Sequence, residues 1–316
     1  MAKIKLGKRP LAYLLLSINT LTWGAALVIV KPAFAATTPF RFLFYRYLFA
    51  SFFSIPILFY YWSKIKHSLR QFLKIIALEL VGTVLALTFL YLGLERTSAI
   101  EASLLANTTP IFIIIAGILF LKEKEEKHEW LGLIFTLAGT LILSAVPLLN
   151  HATGVQQLSV TGNLLVIGHN ISTTLYFIFA KKHYKKLPKF FVTTISFYLG
   201  TICFFILSFL ESGLTTTNLF NNILQDTSHY SVWIASLYMA IFGSIIGLTA
   251  YIKGQDNIEA SEASLFWYLQ PLVYLPLAYF WLGETLSYWQ IAAMIIILVG
   301  VILAEKRFKL RKIKKR

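Results

Sequence analysis

Apolar residues run through this chain in blocks about 20 long, separated by short polar connections, and no block alternates polar and apolar positions. About 20 apolar residues in a helix cross the ~30 Å hydrocarbon core of a bilayer, whereas a membrane β-strand takes about 10 residues of alternating polarity. The pattern therefore predicts ten membrane-spanning helices, over 11–30, 41–62, 72–94, 101–121, 130–149, 161–180, 190–210, 231–252, 262–282 and 288–304. One connection is longer and polar. The stretch SGLTTTNLFNNILQDTSH, between Glu211 and Tyr230, predicts an ordered flap or a small extramembrane helix.

Composition agrees with this reading. Of 316 residues, 57% are hydrophobic, 16% aromatic and only 14% charged, with a mean hydropathy of +0.70. A soluble domain carries about 25% charged residues, and so apolar a chain does not stay solvated as a disordered one. The spans use up the length, leaving no room for a soluble enzyme domain. Cys203 is the single cysteine, which excludes a disulfide framework and a cysteine-based metal site.

The net charge of +15 is distributed by topology. Apart from Lys31, Arg41, Arg46 and Arg96, every Lys and Arg falls in the termini or in alternate connections, on one side of the predicted membrane. Basic loops resist translocation, so both termini are expected in the cytoplasm, with the chain in the cell (inner) membrane. A nucleic-acid binder gathers its basic residues on one face, and no nucleic-acid partner is expected. The tail KRFKLRKIKKR, 306–316, suits anionic lipid head groups. The start MAKIKLGKRP and the AFAA at Ala33–Ala36 mimic a secretory signal. The apolar run is too long for one, and Lys31 and Pro32 interrupt the approach to the site, so retention is expected.

The two halves of the chain match each other. Ala99–Leu105 reads AIEASLL and Ala260–Phe266 reads ASEASLF, 161 residues apart, and the same offset relates Pro110 to Pro271, Glu123 to Glu284 and Gly139 to Gly300. The expected organisation is a cytoplasmic N-terminus (1–10), a five-helix repeat (11–150), a second five-helix repeat (160–305) and a basic cytoplasmic tail (306–316). Five is odd, so the repeats enter the membrane from opposite sides. The expected fold is thus an all-α integral membrane protein of ten transmembrane helices in two antiparallel repeats, the usual plan of secondary transporters.

This pattern of EAS, Pro seven residues after the Ser, Glu thirteen after the Pro and Gly sixteen after that Glu resembles the EamA-type members of the drug/metabolite transporter superfamily. Trp23-Gly24 in the first span and Arg46 with Ala50 in the second fit the same family. The resemblance spans about 11–304 and implies a central cavity lined by the first, third, fourth, sixth, eighth and ninth spans, with the fifth and tenth peripheral. The resemblance implies transport of a small molecule but says little about which, since family members carry amino acids, nucleotide-derived metabolites, sugars and drugs; export of an amino acid or related metabolite is the first expectation, by a monomer or homodimer without cofactor. The segment KEKEEKHE around Glu123 departs from its partner GETLSYWQ in being far more charged, as a solvated loop or a docking surface.

Polar side chains at membrane depth are costly unless they pair or face water, so each is a candidate. Asn19 and Trp23 stand four apart on one face of the first span, either lining a cavity or making interhelix contacts. Ser103, Asn107 and Pro110 follow each other in the fourth span; Ser264, Trp267, Gln270 and Pro271 stand in the ninth. Each proline removes one backbone donor and is expected to free a carbonyl, at Ala106 and Trp267, for a ligand, unless it merely kinks the helix.

In the sixth span His169 and Asn170 are followed by Thr173 and Tyr176. A histidine there is a proton relay, a neutral wall residue or a packing residue. Glu79 is the one carboxylate clearly inside a span, about 11 Å from its inner end. It either exchanges a proton, making proton coupling an expectation, or pairs with Arg46 or a loop lysine. Arg46 attracts an anionic substrate, gates or packs. Glu101 and Glu262 at helix starts complement the helix dipole or gate, and Glu123 and Glu284 tie loops together. Tyr91, Tyr251, Trp267 and Tyr268 offer stacking surfaces, and Gly243 with Gly247 brings two helices close.

No GxxxxGK[ST] loop supports ATP drive, no H-E-x-x-H helix or nucleophile–base pair supports an enzyme, and no ligand spacing around His169 supports a metal. A non-transporting scaffold or receptor is the remaining rival, and it has no reason to keep polar residues inside both halves.

Overall fold

The computed structural model describes residues 8–62, 69–96, 108–123, 127–150, 160–185, 187–282 and 288–305. Every regular element among them is helical. The first half comprises α1 (Lys8–Val30, tightening to a 3-10 turn over Lys31–Ala35), α2 (Pro39–Trp62) and α3. α3 consists of Leu69–Glu79, a π-helical stretch Leu80–Leu85 and Ala86–Arg96. It continues with α4 (Thr109–Ala116 and a π turn Gly117–Leu121) and α5 (Lys127–Asn150).

The second half begins with α6 (Val160–His183), α7 (Lys189–Glu211) and the short α8 (Thr216–Thr227), which occupies the predicted flap. α9 runs through Tyr230–Tyr238, a π stretch Met239–Leu248 and Thr249–Gly254. α10 is broken into Ala260–Leu265, a 3-10 turn Phe266–Leu269 and Gln270–Leu282, and α11 is Tyr288–Glu305.

Among the described residues, six helices are long and apolar enough to cross a membrane: Lys8–Ala35, Pro39–Tyr61, Leu69–Gly93, Val160–His183, Lys189–Glu211 and Tyr230–Asn257. Thr109–Leu121, Trp130–Gly139 and Ile291–Leu303 are apolar but shorter. Large apolar side chains such as Phe59, Leu119, Ile202 and Phe280 face outward. An outer surface this apolar is stable against lipid and not against water.

The packing has two-fold character. α5 pairs with α11, α2 with α7, α3 with α6, and α1 with α9 and α10. An added Cβ at Gly139 would meet Ala293 and Ile297, while one at Gly300 would meet Gly132 and Thr136. These are the same contact seen from its two ends, because each residue is exchanged for the one 161 positions away. Between α2 and α7, Ser51 Oγ lies 2.9 Å from Thr201 Oγ1, the Tyr47 ring stacks on Phe204 and Tyr61 meets Phe191. Residue numbers rise along one helix as they fall along the other. Both pairs of corresponding helices therefore run antiparallel.

The π stretches obey the same offset: Gly82 in α3 and Gly243 in α9 are 161 apart. A π turn inserts one residue and redirects the side chains after it. At Gly82 the missing side chain lets the Tyr176 ring lie 2.1 Å from where a Cβ would stand.

One expectation is corrected. The carbonyl of Trp267 is not left open by Pro271, because the helix tightens to a 3-10 turn and the Gln270 N–H donates to it. Ala106, with Glu101, Ser103, Asn107 and Glu284, lies outside the described residues.

Candidate functional site

Three polar clusters lie at the seam between the halves. The first surrounds Glu79, which is fully buried on α3 just before the π stretch. Its Oε1 accepts from the Tyr176 hydroxyl at 3.1 Å and the Tyr184 hydroxyl at 3.0 Å. Its Oε2 accepts from Thr83 Oγ1 at 3.2 Å and from the Ser196 hydroxyl. Four hydroxyls from α3, α6, α7 and the α6–α7 connection thus converge on one carboxylate, and none of the described ion pairs includes it. Among the described residues, neither Arg46 nor a lysine is its hydrogen-bonding partner. A cage of hydroxyls can follow a carboxylate through loss or gain of a proton, because a hydroxyl either donates or accepts.

The second cluster holds α1 against α9 and α10. Asn19 Nδ2 donates to the Gly247 carbonyl at 3.0 Å, and Trp23 Nε1 to the Gly243 carbonyl at 2.8 Å. Thr20 Oγ1 donates to the Phe266 carbonyl at 3.0 Å. Gly247 lets α1 approach, since a Cβ there would stand 2.7 Å from Trp23 Nε1, whereas one at Gly243 would meet only Met239 of its own helix. Gly24 does likewise against Gln270 and Val273 of α10. Beside this seam Trp23, Phe177, Tyr251 and Trp267 form an aromatic block with ring centroids 4.5–6.3 Å apart. Asn19 Oδ1, Tyr251 Oη and Trp267 Nε1 are buried there with no hydrogen-bond partner among the described residues. Ser264 is fully buried and turns back on the Ser261 carbonyl at 2.7 Å.

The third cluster ties α6 to α3 and α4. The His169 Nδ1 proton is donated to the Ala86 carbonyl at 2.8 Å, with Thr173 Oγ1 3.4 Å from the same nitrogen. Asn170 accepts from Thr109 and donates to Thr108, at 2.9 and 3.0 Å, beside the buried Pro110 in the first turn of α4. Arg46 stands apart from all three, on α2 against Ser244 of the α9 π stretch.

The two ends of the bundle are fastened differently. At the end carrying Arg9, Lys181 and Lys253, the basic end, Glu262 of α10 accepts from Arg9 and Tyr13 of α1. Glu123, at the close of α4, accepts from Lys181 Nζ at 2.7 Å and from the Ala260 N–H at 2.8 Å, as well as from the N–H and hydroxyl of Ser261 at 3.3 Å. The carboxylate thereby caps the start of α10, where unpaired N–H groups favour an anion. Both fasteners join the first half to the second. Lys189 pairs with Asp256 at 2.7 Å within the second half.

At the other end the buried Asp226 of α8 takes Arg41 Nε at 2.7 Å, Tyr45 Oη at 2.9 Å and Thr37 Oγ1 at 2.5 Å. Sequence reasoning passed over Asp226, Tyr47, Ser196 and Ser244. A lone acid in an otherwise neutral flap, facing the lone basic residue that opens α2, was the available signal for Asp226. No group of three or more His, Cys, Asp or Glu residues that could hold a metal occurs among the described residues.

An apolar outer surface, antiparallel partner helices and a polar seam between matched halves define a multi-pass membrane protein of the two-repeat transporter class, not an enzyme. The EamA-like transporter family matches twice, over residues 10–145 and 160–305, and the chain belongs to that family, within the drug/metabolite transporter superfamily its motifs resemble. An uncharacterized transporter of Archaeoglobus fulgidus is 26% identical over 93% of this chain and 97% of its own length. The uncharacterized transporter YcxC of Bacillus subtilis is 23% identical over 92% and 91%. A chloroplastic WAT1-related protein of Arabidopsis thaliana is 24% identical over 90% of this chain and 66% of its own length. A solved crystal structure shares the fold, with a TM-score of 0.73 and 18% identity over 94% of this chain and 97% of that one.

Proposed function

We propose that this protein is a ten-span secondary transporter of the inner membrane. It moves a small metabolite, an amino acid or related compound, by alternating access between two inverted five-helix repeats. Both termini lie in the cytoplasm, so the basic end is the cytoplasmic one, and export is the direction tested first.

The observation that carries this reading is the way the halves are joined. The contacts crossing the seam at the basic end include ion pairs and capping bonds, Glu262 to Arg9 and Glu123 to Lys181 and the α10 start, set beside apolar contacts such as Tyr13 on Phe266 and Phe120 on Phe179. Such contacts exchange protein partners for water at modest net cost, which suits a gate that opens repeatedly. Just inside the gate, the aromatic block of Trp23, Phe177, Tyr251 and Trp267 closes the path, and its orphaned Tyr251 hydroxyl and Trp267 N–H are satisfied once water or cargo enters. On this reading, the fastened basic end is the cytoplasm-closed state of the cycle. Glu79 is the group we assign to proton coupling, held by hydroxyls that tolerate either protonation state.

Radiotracer flux in proteoliposomes, run over a metabolite panel with and without an imposed pH gradient, tests the reading. Saturable flux of one compound class, accelerated by the gradient, is expected. Absence of flux for every compound from folded protein contradicts it and favours a scaffold.

A further inference from the structure

α2 carries two arginines five residues apart, and the fold treats them oppositely. Arg41 is met by Asp226, which accepts from Nε at 2.7 Å and from Nη2 at 3.3 Å. Arg46 is 8% exposed and has a single hydrogen bond, from Nε to Ser244 Oγ at 2.9 Å. Its guanidinium carbon lies 5.1 Å from the centroid of the Tyr47 ring. The four remaining N–H donors, on Nη1 and Nη2, reach no acceptor among the described residues, and none of the described ion pairs includes Arg46. Unlike Trp267 Nε1, these nitrogens are not among the fully buried atoms that lack a partner.

A guanidinium at membrane depth without a counter-charge is costly, and proteins place one there when something binds it. Ser244 holds Nε in plane through the π stretch, which leaves the Nη1/Nη2 edge presented as a fork. That edge matches the two oxygens of a carboxylate.

We infer that Arg46 is the recognition group for the carboxylate of the transported molecule, and that the cargo is an organic anion or a zwitterion. The Nη1/Nη2 edge takes the carboxylate. The inference rests on the transporter reading and narrows it to one substrate class. A small inorganic anion such as chloride has the same charge chemistry and would make Arg46 a resident counter-ion site instead.

The test is protection of Arg46 from phenylglyoxal in the purified full-length protein, read by peptide mass spectrometry at Arg46. The probes are sodium acetate, sodium benzoate, L-phenylalanine, L-phenylalaninamide and sodium chloride. Expected is modification of Arg46 that at least one carboxylate slows about tenfold when present at about ten times its Kd, with no effect of the amide or of chloride. Equal protection by chloride overturns the substrate role in favour of a counter-ion. Absence of protection by every carboxylate, or an Arg46 that never reacts while Arg96 does, overturns the site. A packing role for Arg46 gives no ligand-dependent protection.

Flux of the protecting carboxylate, compared between wild type and an Arg46→Gln variant of unchanged melting temperature, separates this inference from the one beneath it. Loss of flux in the variant supports both. Flux that the variant retains overturns the recognition role while transport stands. Protection without flux in the wild type leaves the anion site and removes the transporter reading.

Discussion

Replacing Glu123 by glutamine preserves the shape of the side chain and removes the charge that fastens the basic end. The carboxylate accepts from Lys181, the Ala260 N–H, and the N–H and hydroxyl of Ser261, and an amide nitrogen would turn a donor toward some of these donors. The side chains of Glu123 and Lys181 are 7% and 16% exposed, so solvent screening is slight. Breaking a pair this buried costs about 3–5 kcal/mol, and the retained amide oxygen places the loss near the lower figure.

About 3 kcal/mol would shift the proposed balance between closed and cytoplasm-open forms by about 150-fold. Ser264, fully buried behind the fastener, reports it as a cysteine in a Cys203→Ser background. Labelling of the closed state proceeds through the open fraction, so the rate follows that equilibrium. In inside-out vesicles, a membrane-impermeant maleimide should label Ser264→Cys up to about 150-fold faster when Glu123→Gln is added. An unchanged rate in a variant that elutes and melts as folded protein would refute the fastener.

Other perturbations follow from the same geometry. Asp226→Asn removes the buried partner of Arg41, costing about 3 kcal/mol locally, and hydrogen exchange across Thr216–Thr227 should quicken about 100-fold; unaltered exchange would show that α8 is held by packing alone. Gly300→Val places a Cβ 2.6 Å from the Thr136 nitrogen, and neither backbone can yield, so about 2 kcal/mol of overpacking should lower the apparent Tm by about 5 °C. An unchanged Tm would mean that α5 and α11 separate freely. Glu79→Gln keeps an oxygen for the surrounding hydroxyls but cannot ionise; it should retain facilitated flux and lose the response to an imposed pH gradient, while a persisting response would place coupling elsewhere.

The helices were legible because the bilayer imposes a length and an apolar composition that a linear sequence carries directly. The starts of α2, α3, α6 and α7 fall within about three residues of the pattern. The repeat was legible too, through identities such as Gly139 and Gly300 whose shared job is close approach. The π stretches were hidden, since one inserted residue barely alters hydropathy yet turns every later side chain. Pro271 announced a break, but the backbone repaired it by tightening rather than leaving the Trp267 carbonyl open.

Partners were the least legible part. Periodicity put Asn19 and Trp23 on one face, and that face binds the Gly247 and Gly243 carbonyls of α9. It could not show that Glu79 would meet hydroxyls rather than Arg46, because the two are brought into one molecule by helix order, not by spacing.

The central claim, alternating access through this seam, is tested most directly by tracer counterflow. Proteoliposomes are preloaded with an unlabelled metabolite and diluted into a trace of the same labelled compound. A carrier that exposes its site to one side at a time gives a transient accumulation of label above equilibrium, abolished by excess external metabolite. Simple equilibration without overshoot would indicate a channel, and no uptake for any metabolite by folded protein would contradict the account altogether.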